Sequence, residues 1–226
     1  KGLSTWRPSS ALTDMSQTFY QTALAADTDL RAWDVSGVTT LNRCFYNTDL
    51  FTGVNLDQWD VSSVEDMTLV FNSANKVNPD VSGWDVSSVK NLKGMFKGAT
   101  DFNRNLANWN LSSLDSNVDI HNLSGSNQNF DSGGVYTLAD GTQGIYSGIG
   151  NIFNGSGMSK ANLDLTISGW CDSANTPNGS TLPWGKLQLG TIPLDGSSET
   201  LDSATITKMQ SKNMSAKYTD GNFVYS

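Results

Sequence analysis

Apolar residues recur along the first half of the chain with a period of 25 to 26 residues. The clearest markers are four tryptophans, each followed by an Asp or Asn, a Val or Leu, and a Ser: Trp33, Trp59, Trp84 and Trp109. Each one is the centre of an apolar-x-x-Trp-x-apolar pattern, as in Leu30, Trp33 and Val35. Self-similarity at a fixed period is typical of repeat proteins. The apolar-x-x-Trp-x-apolar pattern predicts one short strand per unit.

A second apolar spacing follows each tryptophan. Three apolar residues of the third unit are three and four positions apart: Val64, Met67 and Phe71. This spacing is typical of one face of a short helix, and Ser62 or Ser63 stands where an N-cap is favoured. A strand, a short helix and a return segment form a unit that buries its apolar face only against its neighbours. The sequence therefore predicts an α/β solenoid, a leucine-rich-repeat-like, right-handed stack of short parallel strands and short helices.

The repeat weakens after residue 114. Asn117 and His121 stand where the fifth unit should have an apolar residue and a phenylalanine, and the pattern resumes near Ile152 and Phe153. We therefore expect residues 1–226 to form one domain. Its predicted parts are the repeats over 1–114, an insertion over 115–150, and the last coil with a C-terminal cap over 151–226.

The repeated word W-D-V-S-S-V-x-x-L/M-x-x-x-F-x-x-A resembles the BspA-like leucine-rich repeat, a 25-residue repeat of bacterial surface proteins and lipoproteins. The resemblance covers residues 1 to about 114, and the segment from Phe153 to Gly190 resembles the closing module of such arrays. It implies a leucine-rich-repeat fold, an extracellular or cell-surface location and the role of an adhesin. The implied partner is a protein, peptide or glycan on a host or neighbouring cell.

Composition and charge narrow the classes of partner. Hydrophobic residues make up 37% of the chain, enough for a continuous core. The net charge of −8 argues against nucleic acid and against an anionic membrane surface. No apolar run is long enough to span a bilayer, so membrane insertion is not expected. Because the chain starts at Lys1 without a signal peptide, we expect a monomeric module cut from a larger protein.

Two cysteines add little to this picture. Cys44 falls within the apolar pattern of the second unit, and Cys171 follows Trp170 several units later. Stacked units would hold the two Cα atoms beyond the roughly 7 Å that a disulfide allows. The sequence therefore predicts two free and mostly buried thiols.

A column of acidic or amide residues follows the tryptophans: Asp34, Asp60, Asp85 and Asn110. Alternation along a strand would place this column on the open, concave face of the predicted sheet, where like charges repel. In one interpretation, each side chain accepts N–H groups from the following Ser-Ser turn. In the other, the concave face binds a cationic group or a metal ion, with Asp85 and Asn110 as ligand-binding candidates.

The non-recurring residues give further binding candidates. The insertion contributes His121, Tyr136 and Tyr146, and Tyr is common in recognition surfaces. Alternatively, the insertion is a β-hairpin that shields the core, with Asp140-Gly141 as its turn. Trp184 has no counterpart in the repeats and is the fourth candidate.

One acidic cluster has part of the spacing of a calcium-binding loop. Its three candidate ligands are Asp115, Asn117 and Asp119. Ile120 stands where such a loop needs glycine, and Ser126 replaces the acid at its twelfth position. Calcium is therefore a weak expectation, and no cofactor is required.

Catalytic motifs are not evident in the sequence. The chain has one histidine, and no nucleophile elbow, zinc-binding helix or phosphate-binding loop occurs. The acids recur at the same point of each unit, whereas a catalytic residue is normally unique. We expect a ligand-binding module of a bacterial surface adhesin and not an enzyme; the alternative is a structural spacer without its own ligand.

Overall fold

The computed structural model describes residues 3–9, 11–114, 136–137, 143–144, 152–153, 155–172, 201–211, 217–219 and 222–224. Two 3-10 helices are η1 (Leu3–Thr5) and η2 (Leu56–Gln58), and two α-helices are α1 (Lys160–Trp170) and α2 (Ser203–Ser211). Four short strands are β1 (Tyr136–Thr137), β2 (Gln143–Gly144), β3 (Lys217–Thr219) and β4 (Asn222–Val224). They pair antiparallel, β1 with β2 and β3 with β4.

The predicted α/β solenoid of stacked parallel strands and short helices is wrong. Residues 11–114 contain neither a β-strand nor an α-helix, and η2 is their only helical segment. Residues at two equivalent positions of successive units have positive φ angles, which occur in neither a strand nor a right-handed helix. The residues at the first position are Gln17, Arg43, Leu69 and Gly94, and those at the second are Gln21, Asn47, Ser73, Gly98 and Gly155. The units consist of successive tight turns, so the leucine-rich-repeat architecture is wrong as well.

Successive backbone N–H groups of these turns alternate between two kinds of acceptor: a carbonyl of the next unit and a carbonyl three residues back in the same unit. The Arg43 N–H donates to the Thr68 carbonyl of the next unit at 2.9 Å, while the Cys44 N–H donates to the Leu41 carbonyl three residues back, also at 2.9 Å. The same alternation recurs in the first and third units. It produces isolated parallel bridges between Asp14 and Thr40, Thr40 and Asp66, and Asp66 and Asn91. Neighbouring units therefore lie side by side in parallel register.

Aromatic side chains join the units through the core. Five buried phenylalanines, one from each unit, stack with ring centroids 5.2 to 6.1 Å apart: Phe19, Phe45, Phe71, Phe96 and Phe153. The Phe96 N–H donates to the Ile152 carbonyl, as the Phe71 N–H does to the carbonyl of Met95. Phe153 therefore occupies the phenylalanine position of a fifth unit.

The tryptophans form a second column, and each indole N–H donates to a backbone carbonyl of the preceding unit. The five donors with their acceptors, at 2.8 to 3.2 Å, are Trp33 with Leu3, Trp59 with Leu30, Trp84 with Leu56, Trp109 with Val81, and Trp170 with Leu106. All five rings are buried, which confirms the burial predicted for the four repeat tryptophans. Cys44 and Cys171 are both buried, also as predicted.

The fifth unit ends in a helix instead of turns. Ser159 caps the N-terminus of α1 by accepting the Asn162 N–H, and Thr166 accepts the N–H of Leu106 from the fourth unit. Helix α2 packs against α1, and Lys160 bonds to both Asp164 and Asp202 at 2.6 and 2.9 Å. Thus, helix α1 covers the fourth unit at the position that a fifth tryptophan turn would occupy.

Candidate functional site

The column of Asp34, Asp60, Asp85 and Asn110 consists of turn caps. Each side-chain Oδ1 accepts the N–H of the serine two residues later, at 3.0 to 3.1 Å. Hydroxyl and N–H donation from Ser36 and Ser87 hold the pKa values of Asp34 and Asp85 below their usual range. The turn-cap interpretation is confirmed. The alternative needed a concave sheet face that binds a cation, and residues 11–114 contain no strand that could form one.

Replacing Asp85 is expected to separate hydrogen bonding from charge. Asp85→Asn should be nearly neutral, because its amide oxygen accepts the Ser87 N–H just as that of Asn110 accepts the Ser112 N–H. Asp85→Ala should lower the free energy of unfolding by about 0.5 to 2 kcal/mol, the usual cost of a lost cap. Urea denaturation of both variants checks this. Equal losses in the two would contradict the capping role.

Most of the other sequence candidates fall outside the described residues. His121, Tyr146 and Trp184 lie outside the described residues, and so do the three calcium candidates Asp115, Asn117 and Asp119. Tyr136 belongs to β1, which pairs with β2 as the hairpin interpretation predicted. The proposed turn, Asp140-Gly141, lies outside the described residues. Among the residues that are described, no group of three or more His, Cys, Asp or Glu side chains could hold a metal ion.

A shallow groove of about 380 Å³ lies between the return segments of the second, third and fourth units. The charged groups that line it are already engaged within the protein. Lys76 forms an ion pair with Asp101 at 3.1 Å, and the Arg104 guanidinium donates to the Asn78 carbonyl at 2.8 Å. A ligand would have to compete with these contacts, so the groove is a weaker candidate site than the cationic surface described next.

Three cations from two units form a cluster on another surface. Burial, together with the nearby charges of Lys97 and Arg43, lowers the pKa of Lys93. All three side chains are partly exposed, and Arg43 is steadied by donation to the Asn42 amide oxygen at 3.2 Å. The parallel register explains how residues 43 and 93 come close, because Arg43 and Lys93 lie on either side of the third unit at Thr68 and Leu69.

A pair of tyrosines lies in the same row as Lys97. The rings of Tyr20 and Tyr46 stack with centroids 5.0 Å apart and an interplanar angle of 18°. The carbonyls of Tyr46, Asn72 and Lys97 each accept the equivalent N–H of the preceding unit, which places them at corresponding positions. We name the surface formed by Tyr20, Tyr46, Arg43, Lys93 and Lys97 the Tyr–Lys face.

The sequence analysis missed the Tyr–Lys face because its members are scattered over residues 20 to 97. Net charge gave no sign of it, since the cluster is local and the chain as a whole is acidic. The usable signal was the alignment of the units, which places Tyr20, Tyr46 and Lys97 at one position that lies outside the recurring apolar pattern. Reading that column required the register of the turns.

The chain was compared with known families and proteins. A family described as "Mycoplasma protein of unknown function, DUF285" matches residues 13–132, more than half of the sequence. The chain belongs to the DUF285 family. No curated protein and no solved structure matches it. The family description assigns no function, so DUF285 membership gives no support for an adhesin, and the terms leucine-rich repeat and solenoid are corrected by the turn-based fold.

The helices of this DUF285 chain were also compared with the requirements of a bilayer. Neither α1 nor α2, nor any other helix in the part of the chain that the structure describes, has the length and apolar character to cross a membrane. The resemblance to BspA-like repeats, the extracellular location and the expectation of a non-enzyme all stay predictions.

Proposed function

We propose that this chain is a non-catalytic binding module that takes an acidic polysaccharide on the Tyr–Lys face. The observation that carries the proposal is the clustering of Arg43, Lys93 and Lys97 within a protein of net charge −8. Like charges held together by a fold repel each other. A bound anion would relieve that repulsion and raise the pKa of Lys93 towards its ordinary value.

The tyrosine pair favours a sugar polymer over a small anion. Stacked, partly exposed rings offer an apolar surface with polar hydroxyls at the edge, which suits the mixed apolar and polar faces of a sugar ring. The face crosses four successive units, so it presents contacts along a line and not in a single pocket. A linear chain of acidic sugars matches both the line and the positive charge.

Binding of oligogalacturonate, measured by calorimetry, tests the proposal. The triple variant Arg43→Gln, Lys93→Gln, Lys97→Gln should bind about tenfold more weakly or worse, since three exposed ion pairs at roughly 0.5 kcal/mol each amount to one decade of affinity. Affinity for the unmodified protein should also fall with added salt. The melting temperature should change little, because all three side chains are partly exposed.

The matched control removes three cations from elsewhere: Arg31→Gln, Lys76→Gln and Lys208→Gln, each of which forms an ion pair with an aspartate. The net charge changes equally, yet affinity should change little. Equal losses in the two triple variants, or equal binding of the methyl-esterified oligosaccharide, would contradict the proposal. Tighter binding of polyglutamate would assign the face to acidic peptides instead, and binding of none of these probes would favour the spacer interpretation.

A further inference from the structure

The first unit has an edge of open carbonyls. In the stretches 17–21, 41–47 and 67–73, alternate N–H groups donate to carbonyls of the next unit, so those carbonyls face the preceding unit. The carbonyls of Asn42, Cys44 and Tyr46 accept from the first unit in this way. Within the described residues, no N–H donates to the equivalent carbonyls of the first unit: Ser16, Thr18 and Tyr20.

Trp6 is exposed on the same side of the stack. Leu3 and Trp6 occupy the positions of Leu30 and Trp33, and the Leu3 carbonyl accepts the Trp33 indole just as Leu30 accepts that of Trp59. Trp6 packs edge-on against Trp33, with centroids 4.7 Å apart, yet it is 54% exposed. In the described part of the chain its indole N–H has no carbonyl acceptor, unlike the five buried tryptophans.

We propose that this edge, formed by the carbonyls of Ser16, Thr18 and Tyr20 and the ring of Trp6, docks a further repeat unit of the same kind. Alternate N–H groups of that unit would bond to the three carbonyls, and one of its carbonyls would accept the Trp6 indole. The surface continues the existing unit–unit interface in both register and hydrogen-bond polarity. A second copy docked edge to edge fits less well, because its own three open carbonyls are acceptors and supply no N–H groups for these three.

Docking at this edge can be tested by inserting a second copy of the first unit into the chain. In the duplicated variant, a copy of residues 12–37 is inserted after Gly37, an exposed turn position. The first copy then faces the open carbonyls of the second copy. An exposed marker, Ala25→Ser in one copy, distinguishes their peptides in hydrogen-exchange mass spectrometry. The control variant carries the same insert with its sequence shuffled.

Both copies should exchange alike in the duplicated variant, with the amides of Gln17, Phe19 and Gln21 at least about tenfold slower than those of the shuffled insert. Its melting temperature should equal or exceed that of the parent. Exchange as fast as in the shuffled insert, or loss of folding in the duplicated variant alone, would overturn the proposal.

A second measurement uses the parent protein without any insertion. A synthetic peptide of residues 12–37 should shift the carbonyl ¹³C resonances of Ser16, Thr18 and Tyr20 and move the Trp6 fluorescence to shorter wavelength. The shuffled peptide should do neither. Identical spectra with the two peptides, together with protection of the amides in the duplicated variant, would mean that this protection does not come from docking at the edge. That result would overturn the assignment.

Discussion

Replacing Trp84 by alanine is expected to destabilise the protein by about 3 to 5 kcal/mol, the range for emptying a large buried aromatic site. The ring is buried, and its centroid lies 6.5 Å from that of Phe71. Its indole N–H also donates to the Leu56 carbonyl at 2.9 Å, so truncation leaves a buried acceptor without its donor. Urea and thermal denaturation, compared with the parent, measure the loss.

Two further tryptophan variants separate the contributions. Trp84→Phe keeps most of the ring and removes the donor, so its cost should fall between zero and that of alanine. Trp6→Ala serves as the matched control, because its ring is 54% exposed and its indole has no acceptor among the described residues. A loss for Trp6→Ala as large as that for Trp84→Ala would refute the proposed hydrogen-bonded tryptophan column.

Gly169→Ala is the second change with a large expected effect, and its direction opposes helix propensity. Alanine inside α1 should favour the helix by up to about 1 kcal/mol. A Cβ at position 169, however, would lie 2.4 Å from the Ala107 Cβ and 2.6 Å from the Ala107 Cα and carbonyl oxygen. The helix must then move away from the fourth unit, and we expect a net loss of about 1 to 3 kcal/mol or more.

Gly83→Ala provides the control for this substitution. A Cβ at position 83 meets nothing within 4 Å, and its φ is not in the left-handed region. Its unfolding free energy should stay within roughly 0.5 kcal/mol of the parent. Stabilisation by Gly169→Ala would contradict the close packing of α1 on the fourth unit.

The sequence predicted the period and the buried columns, but not the backbone conformation. The spacing of Val64, Met67 and Phe71 fits a helix, yet positive φ angles turn the chain at Leu69, within that stretch, and at Ser73, just after it. Left-handed conformations at residues other than Gly and Asn are rare, because they cost roughly 1 to 2 kcal/mol each. The backbone hydrogen bonds between units offset this cost, and these bonds cannot be read from a local sequence pattern.

The capping aspartates could be predicted from the sequence and the cationic cluster could not, because the caps depend on local contacts and the cluster on contacts between units. The capping role of Asp34, Asp60 and Asp85 depends on the serine two residues away, so it could be predicted from local sequence. The cluster of Arg43, Lys93 and Lys97 depends on which residues face each other across the third unit. That register is set by the N–H groups of residues 41 to 47 and 67 to 73, whose partners lie 24 or 25 residues further on.

The most direct test of the proposed binding role is to follow the lysine side chains of the ¹³C,¹⁵N-labelled protein by NMR as oligogalacturonate is added. Lys93 and Lys97 should shift most, and the pKa of Lys93, low in the free protein, should rise on binding, because a nearby carboxylate stabilises the charged amine. Lys76 and Lys208, which form ion pairs with Asp101 and Asp172, should shift little. Uniform shifts across all four lysines, or an unchanged Lys93 pKa at saturation, would contradict binding at the Tyr–Lys face.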